Sequence, residues 1–289
     1  MWFLLALATA LFTASGDAFS KHYLHRFGSP NMALVRVIGP TVCLLPFLLW
    51  WPWPALPPKF WLTLALLYPL ETIAMLCYME ALRVSPLSVT VPYLAFTPAF
   101  IILTGRIILG EKLSPPGILG VFLIVCGSYF LHLGEVKRGL LAPFKATFRE
   151  RGSRLMLVVA FIYSITSVYL KVGISHSERF FFAFFYYSFL GLFMALVLKL
   201  FFRKVSPLGV MRECPKGFLL VAAAQSAAVV CHVWALSLAP VAYMIAIKRL
   251  SVLFGVLIGG IVFKEMAFRA RLTGAILMVA GVFLIALKG

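Results

Sequence analysis

Apolar runs of about 20 residues, the length a helix needs to cross a hydrocarbon layer of about 30 Å, recur along the whole chain. They lie near 2–22, 31–51, 60–82, 88–109, 116–134, 154–174, 180–202, 217–238, 241–263 and 271–288. The pattern predicts an all-α integral membrane protein of about ten transmembrane helices. The breaks between runs carry turn chemistry: Phe27-Gly28-Ser29-Pro30, Pro52 and Pro54, Ser85-Pro86, Ser114-Pro115-Pro116 and Ala239-Pro240. A soluble reading fails on polar surface, because only 12% of the residues are charged and 63% are apolar, whereas soluble domains carry roughly 25% charged residues.

Trp50, Trp51 and Trp53 sit where a run ends, the place for amphipathic rings lying between acyl chains and headgroups. The first run lacks a basic segment ahead of it and is followed by nine more, so it reads as a mature helix rather than a signal peptide. The five cysteines, Cys43, Cys77, Cys126, Cys214 and Cys231, have no metal-ligand spacing, and all but Cys214 fall inside runs, where Cys acts as a small hydrophobe.

The chain also repeats internally. Placing Cys77 on Cys231 aligns 77–134 with 231–288 without a gap. Ala81-Leu82 then meets Ala235-Leu236, Pro86 meets Pro240, Phe100 meets Phe254, Gly105 meets Gly259, Glu111 meets Glu265, Gly120 meets Gly274 and Gly127 meets Gly281. Helix-end prolines, small packing residues and a carboxylate past a helix recur together. Two halves follow, 1–134 and 154–289, joined by a basic linker at 135–153. Five crossings are an odd number, so the second half starts from the opposite side of the membrane. The expected architecture is therefore two inverted five-helix repeats, with a binding site near the midplane between them and alternating access by rocking.

Tyr78-Met79-Glu80-Ala81-Leu82 with Ser85-Pro86, then Gly110-Glu111-Lys112-Leu113 and a helix reaching Gly127, resembles the EamA domain of the drug/metabolite transporter superfamily. Ala235-Leu236, Pro240, Phe263-Lys264-Glu265 and Gly274 to Gly281 repeat the pattern in the second half. The resemblance implies a ten-helix transporter with a central cavity, in a superfamily that moves metabolites, amino acids, nucleotide sugars and drugs.

Ionisable groups inside the runs mark the expected site, since each costs about 2.5 to 3.5 kcal/mol at a helix centre unless a cavity or partner receives it. Lys248 and Arg249 are the sharpest case, about 11 to 12 Å into the ninth run and pointing about 100° apart on a helix. Their counterparts in the first half are Leu94-Ala95, so maintenance of a common fold does not require them. They form either an anion site, with a planar guanidinium fork and a point charge, or a pair neutralised by Glu80, Glu71 or Asp17. A Lys-Arg pair here is similar to that of the plastid sugar-phosphate translocators, in which the pair grips phosphate. Arg36, Tyr78 and Tyr243 join it as candidate substrate-binding residues, Arg36 either lining the cavity or reaching to headgroups. Asp17, Glu71 and Glu80 are candidate proton-coupling or counterion groups. Asp17 and Lys21 are spaced to pair on one face, and Gln225 and His232 could line the cavity. Pro40 and Pro46 in the second run and Pro92 and Pro98 in the fourth predict bends, as hinges or as tolerated kinks.

The net charge of +17 is spread through the connections. Lys137, Arg138, Lys145, Arg149, Arg151, Arg154, Arg203, Lys204, Arg212, Lys216, Lys264, Arg269 and Arg271 fall on one side of the predicted topology. The positive-inside rule puts that side in the cytoplasm and both termini outside, whereas the family resemblance implies both termini inside. Short basic membrane loops are no nucleic-acid module.

The function expected is a secondary transporter, in the cell (inner) membrane, of a small organic anion or zwitterion. A proton-coupled exporter of cationic amphipaths is the alternative, and a membrane enzyme or lipid-handling factor is the alternative from another class. Partners are the small molecule and the bilayer, with no nucleic acid. No Walker motif is present, and His22, His25, His132, His176 and His232 are scattered, so no cofactor, metal or catalytic residue is expected.

Overall fold

The computed structural model describes residues 1–24, 26–84, 91–133, 151–201, 206–254 and 268–288. Among these the regular structure is helical throughout: α1 (Trp2–Leu24), α2 (Ser29–Trp50), α3 (Pro58–Val84), a 3-10 turn (Val91–Phe96) leading into α4 (Thr97–Leu109), α5 (Pro115–Leu133), α6 (Arg151–Ser175), α7 (Arg179–Phe201), a short α8 (Pro207–Glu213), α9 (Pro215–Leu238), α10 (Val241–Lys248) and α11 (Phe268–Lys288). Six of these, α1, α2, α3, α6, α7 and α9, are apolar and long enough to cross a bilayer, with the α3 span taken as Pro58–Ala81. Shorter apolar helices cover Tyr93–Leu109, Pro115–Ser128 and Gly274–Leu287. Large apolar side chains stand open on the outside, including Leu49, Trp50, Ile107, Leu200, Phe201 and Leu287, a surface that only lipid can cover. The molecule is an all-α, multi-pass membrane protein.

Two of the predicted runs are not continuous helices. The fourth begins as a 3-10 turn and becomes α-helical at Thr97-Pro98, where a proline in the first turn needs no amide hydrogen. The ninth stops at Lys248, turns at Arg249 and resumes helical backbone at Leu250. The Arg249 N–H is shared between the carbonyls of Ile245 and Ala246 at 3.1 and 3.0 Å, a tightened end turn. The internal repeat sets Leu94-Ala95 against Lys248-Arg249, so both interruptions fall at matching places. Pro40 and Pro46 lie inside an unbroken α2, tolerated there by its neighbours.

The main packing pairs are α5 with α11, α1 with α9, α3 with α6, and α2 with α7. If each helix is exchanged for its counterpart in the other half, α5–α11 and α2–α7 map onto themselves and α1–α9 maps onto α6–α3. The α5–α11 contact is made through glycine. A Cβ on Gly120 would meet the Gly281 carbonyl, and one on Gly127 would meet the Gly274 carbonyl. Rising along α5 means descending along α11, so these repeat-related helices run antiparallel. Aromatic rings fill one side of the core, with Phe182 stacked on Tyr186 at 5.3 Å and Trp53 edge-on to Phe181 and Phe185.

Candidate substrate site

The two interrupted helices meet at their breaks. Arg249 Nη2 donates to Thr97 Oγ1 at 2.9 Å, and the Thr97 hydroxyl donates in turn to the Leu94 carbonyl at 2.7 Å. One threonine thus links the guanidinium to the 3-10 turn of the opposite half. Lys248 Nζ lies 3.5 Å from Nδ1 of the buried His232 on α9. Among the described residues, neither Lys248 nor Arg249 has a carboxylate within ion-pair distance. Arg249 Nε is buried without any hydrogen-bond partner. Both residues are half-buried, whereas the segment before them, Val241 to Ile247, is buried.

Five further elements contribute. On α1 and α2, Asp17 and Arg36 form an ion pair, with Arg36 8% exposed and Asp17 41% exposed. The pairing gives Arg36 a partner inside the protein; the Lys21 side chain, the other partner that spacing on α1 offers Asp17, lies outside the described residues. The Arg36 guanidinium also sits 5.9 Å above the Tyr78 ring of α3. Glu71, also on α3, lies within electrostatic reach of Lys248 and of Tyr163 on α6. Tyr186 and Tyr187 on α7 feel Glu71 as well. Asp17, Arg36 and Glu71 all act on Lys248. One charged cluster therefore draws together Asp17, Arg36, Glu71, Tyr78, Lys248 and Arg249 of the sequence candidates.

The two remaining candidates lie elsewhere. Glu80 faces Arg151 of α6 at 3.5 Å, towards the end of α3, and so does not neutralise the cation pair. Tyr243 accepts a hydrogen bond from the Ser114 amide at 3.0 Å, in the connection between α4 and α5. It belongs to a clasp that sequence reasoning missed. Gly110 ends α4 in the left-handed conformation, φ 66°, and the following Glu111 N–H turns back to the Gly105 carbonyl at 3.2 Å. That turn sets the Glu111 carboxylate over the first amide of α10, Val241 N–H, at 3.0 Å. Lys171 of α6 then bridges Glu111 Oε1 and the Ala239 carbonyl, both at 2.7 Å. The clasp holds both chain ends around Pro240, and α10 with its two cations hangs from it. Lys171→Ala strands a largely buried carboxylate, and the expected loss is about 3 kcal/mol, read as a lower Tm in detergent. Tyr163 and Thr97 were also missed, because a tyrosine or threonine inside an apolar run looks like a packed core residue.

The fold defines a multi-pass helical membrane protein in which two interrupted helices meet at Arg249 and Thr97. The EamA-like transporter family model matches residues 1–133 and again 151–287, and the chain belongs to that family. It is a membrane transporter. No curated protein sequence matches it. One solved crystal structure superposes with a TM-score of 0.75 over 100% of this chain and 99% of that chain, at 18% identity, a likeness of fold alone.

Proposed function

We propose that the protein is a secondary transporter of a small organic anion or zwitterion, held at Lys248 and Arg249 between two inverted five-helix domains, 1–134 and 154–289, in the cell membrane. The observation that carries the reading is the unpaired state of Arg249. A guanidinium whose described partners are a single threonine hydroxyl and one electrostatically distant carboxylate is costly to bury, and an incoming carboxylate or phosphate lowers that cost by completing its fork. Asp17 is already engaged by Arg36, which weakens it as a counterion for a cationic cargo.

The antiparallel glycine contact of α5 with α11 supports inversion of the halves, and the matched interruptions are where such repeats build their sites. The Glu111–Lys171 clasp joins α4, α6, α9 and α10 at one end of the bundle, and the half-exposed Asp17 lies toward the other. This asymmetry is what one stage of an alternating-access cycle requires.

The test is a thermal-shift screen of purified protein against carboxylates, phosphorylated metabolites, amino acids and organic cations, run in parallel on Lys248→Ala. Stabilisation of the wild type by anions and not of the variant is the expected result. A wild type stabilised by organic cations alone would end the reading.

A further inference from the structure

We propose that the end of the bundle formed by α1, α8 and α9 is a docking surface for an anionic phospholipid, with Arg26, Arg212 and Lys216 on the headgroup phosphate and Leu208, Met211 and Leu219 among the acyl chains. None of these residues belongs to the charged cluster around Arg249. The short α8 stands between two membrane-spanning helices, α7 ending at Phe201 and α9 beginning at Pro215, so it lies at the membrane surface. Ser206 caps its start, accepting from the Gly209 amide at 3.0 Å, while the Ser206 amide donates to Asn31 Oδ1 of α2 at 3.0 Å. Val210 turns inward and is buried with Leu24, Val35 and Phe218. Leu208, Met211 and Arg212 follow the i, i+3, i+4 spacing of one helix face, and all three are exposed.

Tertiary contacts gather the cations. Arg26, just past α1, donates from Nη2 to the Glu213 carbonyl at the end of α8, at 3.2 Å. That bond uses one of the five N–H donors of a guanidinium. Arg212 immediately precedes Glu213, and Lys216 stands in the first turn of α9. The joint between α8 and α9 is fastened to α1, where Cys214 Sγ lies 3.9 Å from the Tyr23 carbonyl and a Cβ on Gly217 would meet Tyr23 Cβ at 2.5 Å. Arg26, Arg212 and Lys216 are exposed, and the segments 22–31 and 206–219 carry one acidic side chain, Glu213, against them. Lys216 and the exposed Leu219, three residues apart on α9, again set a cation beside an apolar side chain. A soluble anion would meet the cations and leave Leu208, Met211 and Leu219 in water. A zwitterionic lipid would cover the apolar side chains but bring its own cation beside Arg212. An anionic lipid complements both.

The experiment titrates the purified full chain, in a non-ionic detergent, with phosphatidylglycerol or with phosphatidylcholine of the same acyl chains. Native mass spectrometry counts the lipids retained and the copies of the chain. The expected result is a preference for phosphatidylglycerol of about tenfold or more, since each lysine or arginine near an anionic lipid contributes about fivefold and Glu213 offsets one of the three. The triple variant Arg26→Gln, Arg212→Gln, Lys216→Gln should bind the two lipids equally, whereas Arg249→Ala should keep the preference. Leu208→Gln with Met211→Gln should weaken both lipids alike. Equal binding of the two lipids by the wild type would overturn the assignment, and so would a preference that survives in the triple variant. A preference lost with Arg249→Ala would move the anionic lipid to the substrate site. A wild-type dimer that the Leu208 and Met211 changes dissolve would give the face to a second copy of the chain and overturn the lipid. If the triple variant fails to fold, Arg212→Gln alone decides, with an expected loss of about fivefold in the preference.

Discussion

Arg249→Ala abolishes transport and makes the protein harder to unfold. Both halves of this expected result come from one fact: the guanidinium is held deep in the protein with a hydroxyl as its hydrogen-bond acceptor and no carboxylate in ion-pair range among the described residues. In the unliganded protein it is a buried charge poorly compensated, so its removal is stabilising and Tm rises. In the loaded protein it is the partner of the substrate's anionic group, and truncating one member of a desolvated charge pair costs about 2 to 5 kcal/mol, roughly 30-fold to several-thousand-fold in apparent affinity. Arg249→Lys keeps the charge but loses the fork, with an intermediate loss of about tenfold. Counterflow in proteoliposomes of an anion that stabilises the wild type, together with Tm in the same detergent, checks both signs. A variant that transports normally, or one that loses activity because it unfolds, would contradict the assignment of Arg249 to the substrate.

Membrane residence and the duplicated pattern were legible from residues alone, because they rest on run length and on prolines and glycines recurring at fixed places. The cation pair was legible too, since two adjacent charges in an apolar run have few physical excuses. The interruption at Arg249 was not. The segment Val241 to Leu250 contains no glycine or proline after Pro240, so no local signal marks the turn, which falls where Arg249 bonds Thr97 of the other half. The bond from Asp17 to Arg36 was not legible for a similar reason: spacing reports neighbours within α1, whereas this bond runs to α2. Lys171 carries no local signal, and only the fold brings it to Glu111 and the Ala239 carbonyl. Local pattern reports which residues are costly to bury, and tertiary structure decides what receives them. Residues 88–90 of the predicted span 88–109 and 255–263 of the predicted span 241–263 lie outside the described residues.

Substitution at the α5–α11 crossing should damage the protein more than any change at the charged site. An alanine Cβ at Gly281 would lie 2.5 Å from the Gly120 carbonyl oxygen, and one at Gly120 would lie 2.7 Å from the Gly281 carbonyl oxygen. At Gly127 the added carbon would lie 2.6 Å from the Gly274 carbonyl oxygen and 2.7 Å from the Met278 amide. These neighbours are backbone, so no rotamer change relieves the clash and the helices must part. Parting them forfeits the close packing that holds helices together in lipid, where burial of apolar surface gives no drive. Gly127→Leu is expected to leave no monodisperse protein after detergent extraction, and Gly281→Ala to cost about 2 to 3 kcal/mol. Gly28→Ala is the control, since its Cβ would meet only Pro30 Cδ at 3.8 Å, and it should leave Tm unchanged. Because Gly120 and Gly281 each press on the other's backbone, a methyl on either one already moves the helices apart, and the second finds space that the first has made. The double variant Gly120→Ala with Gly281→Ala should therefore lose less stability than the two single losses together. Strict additivity would mean that the two glycines do not share one contact, and the antiparallel pairing of α5 with α11 would have to be redrawn.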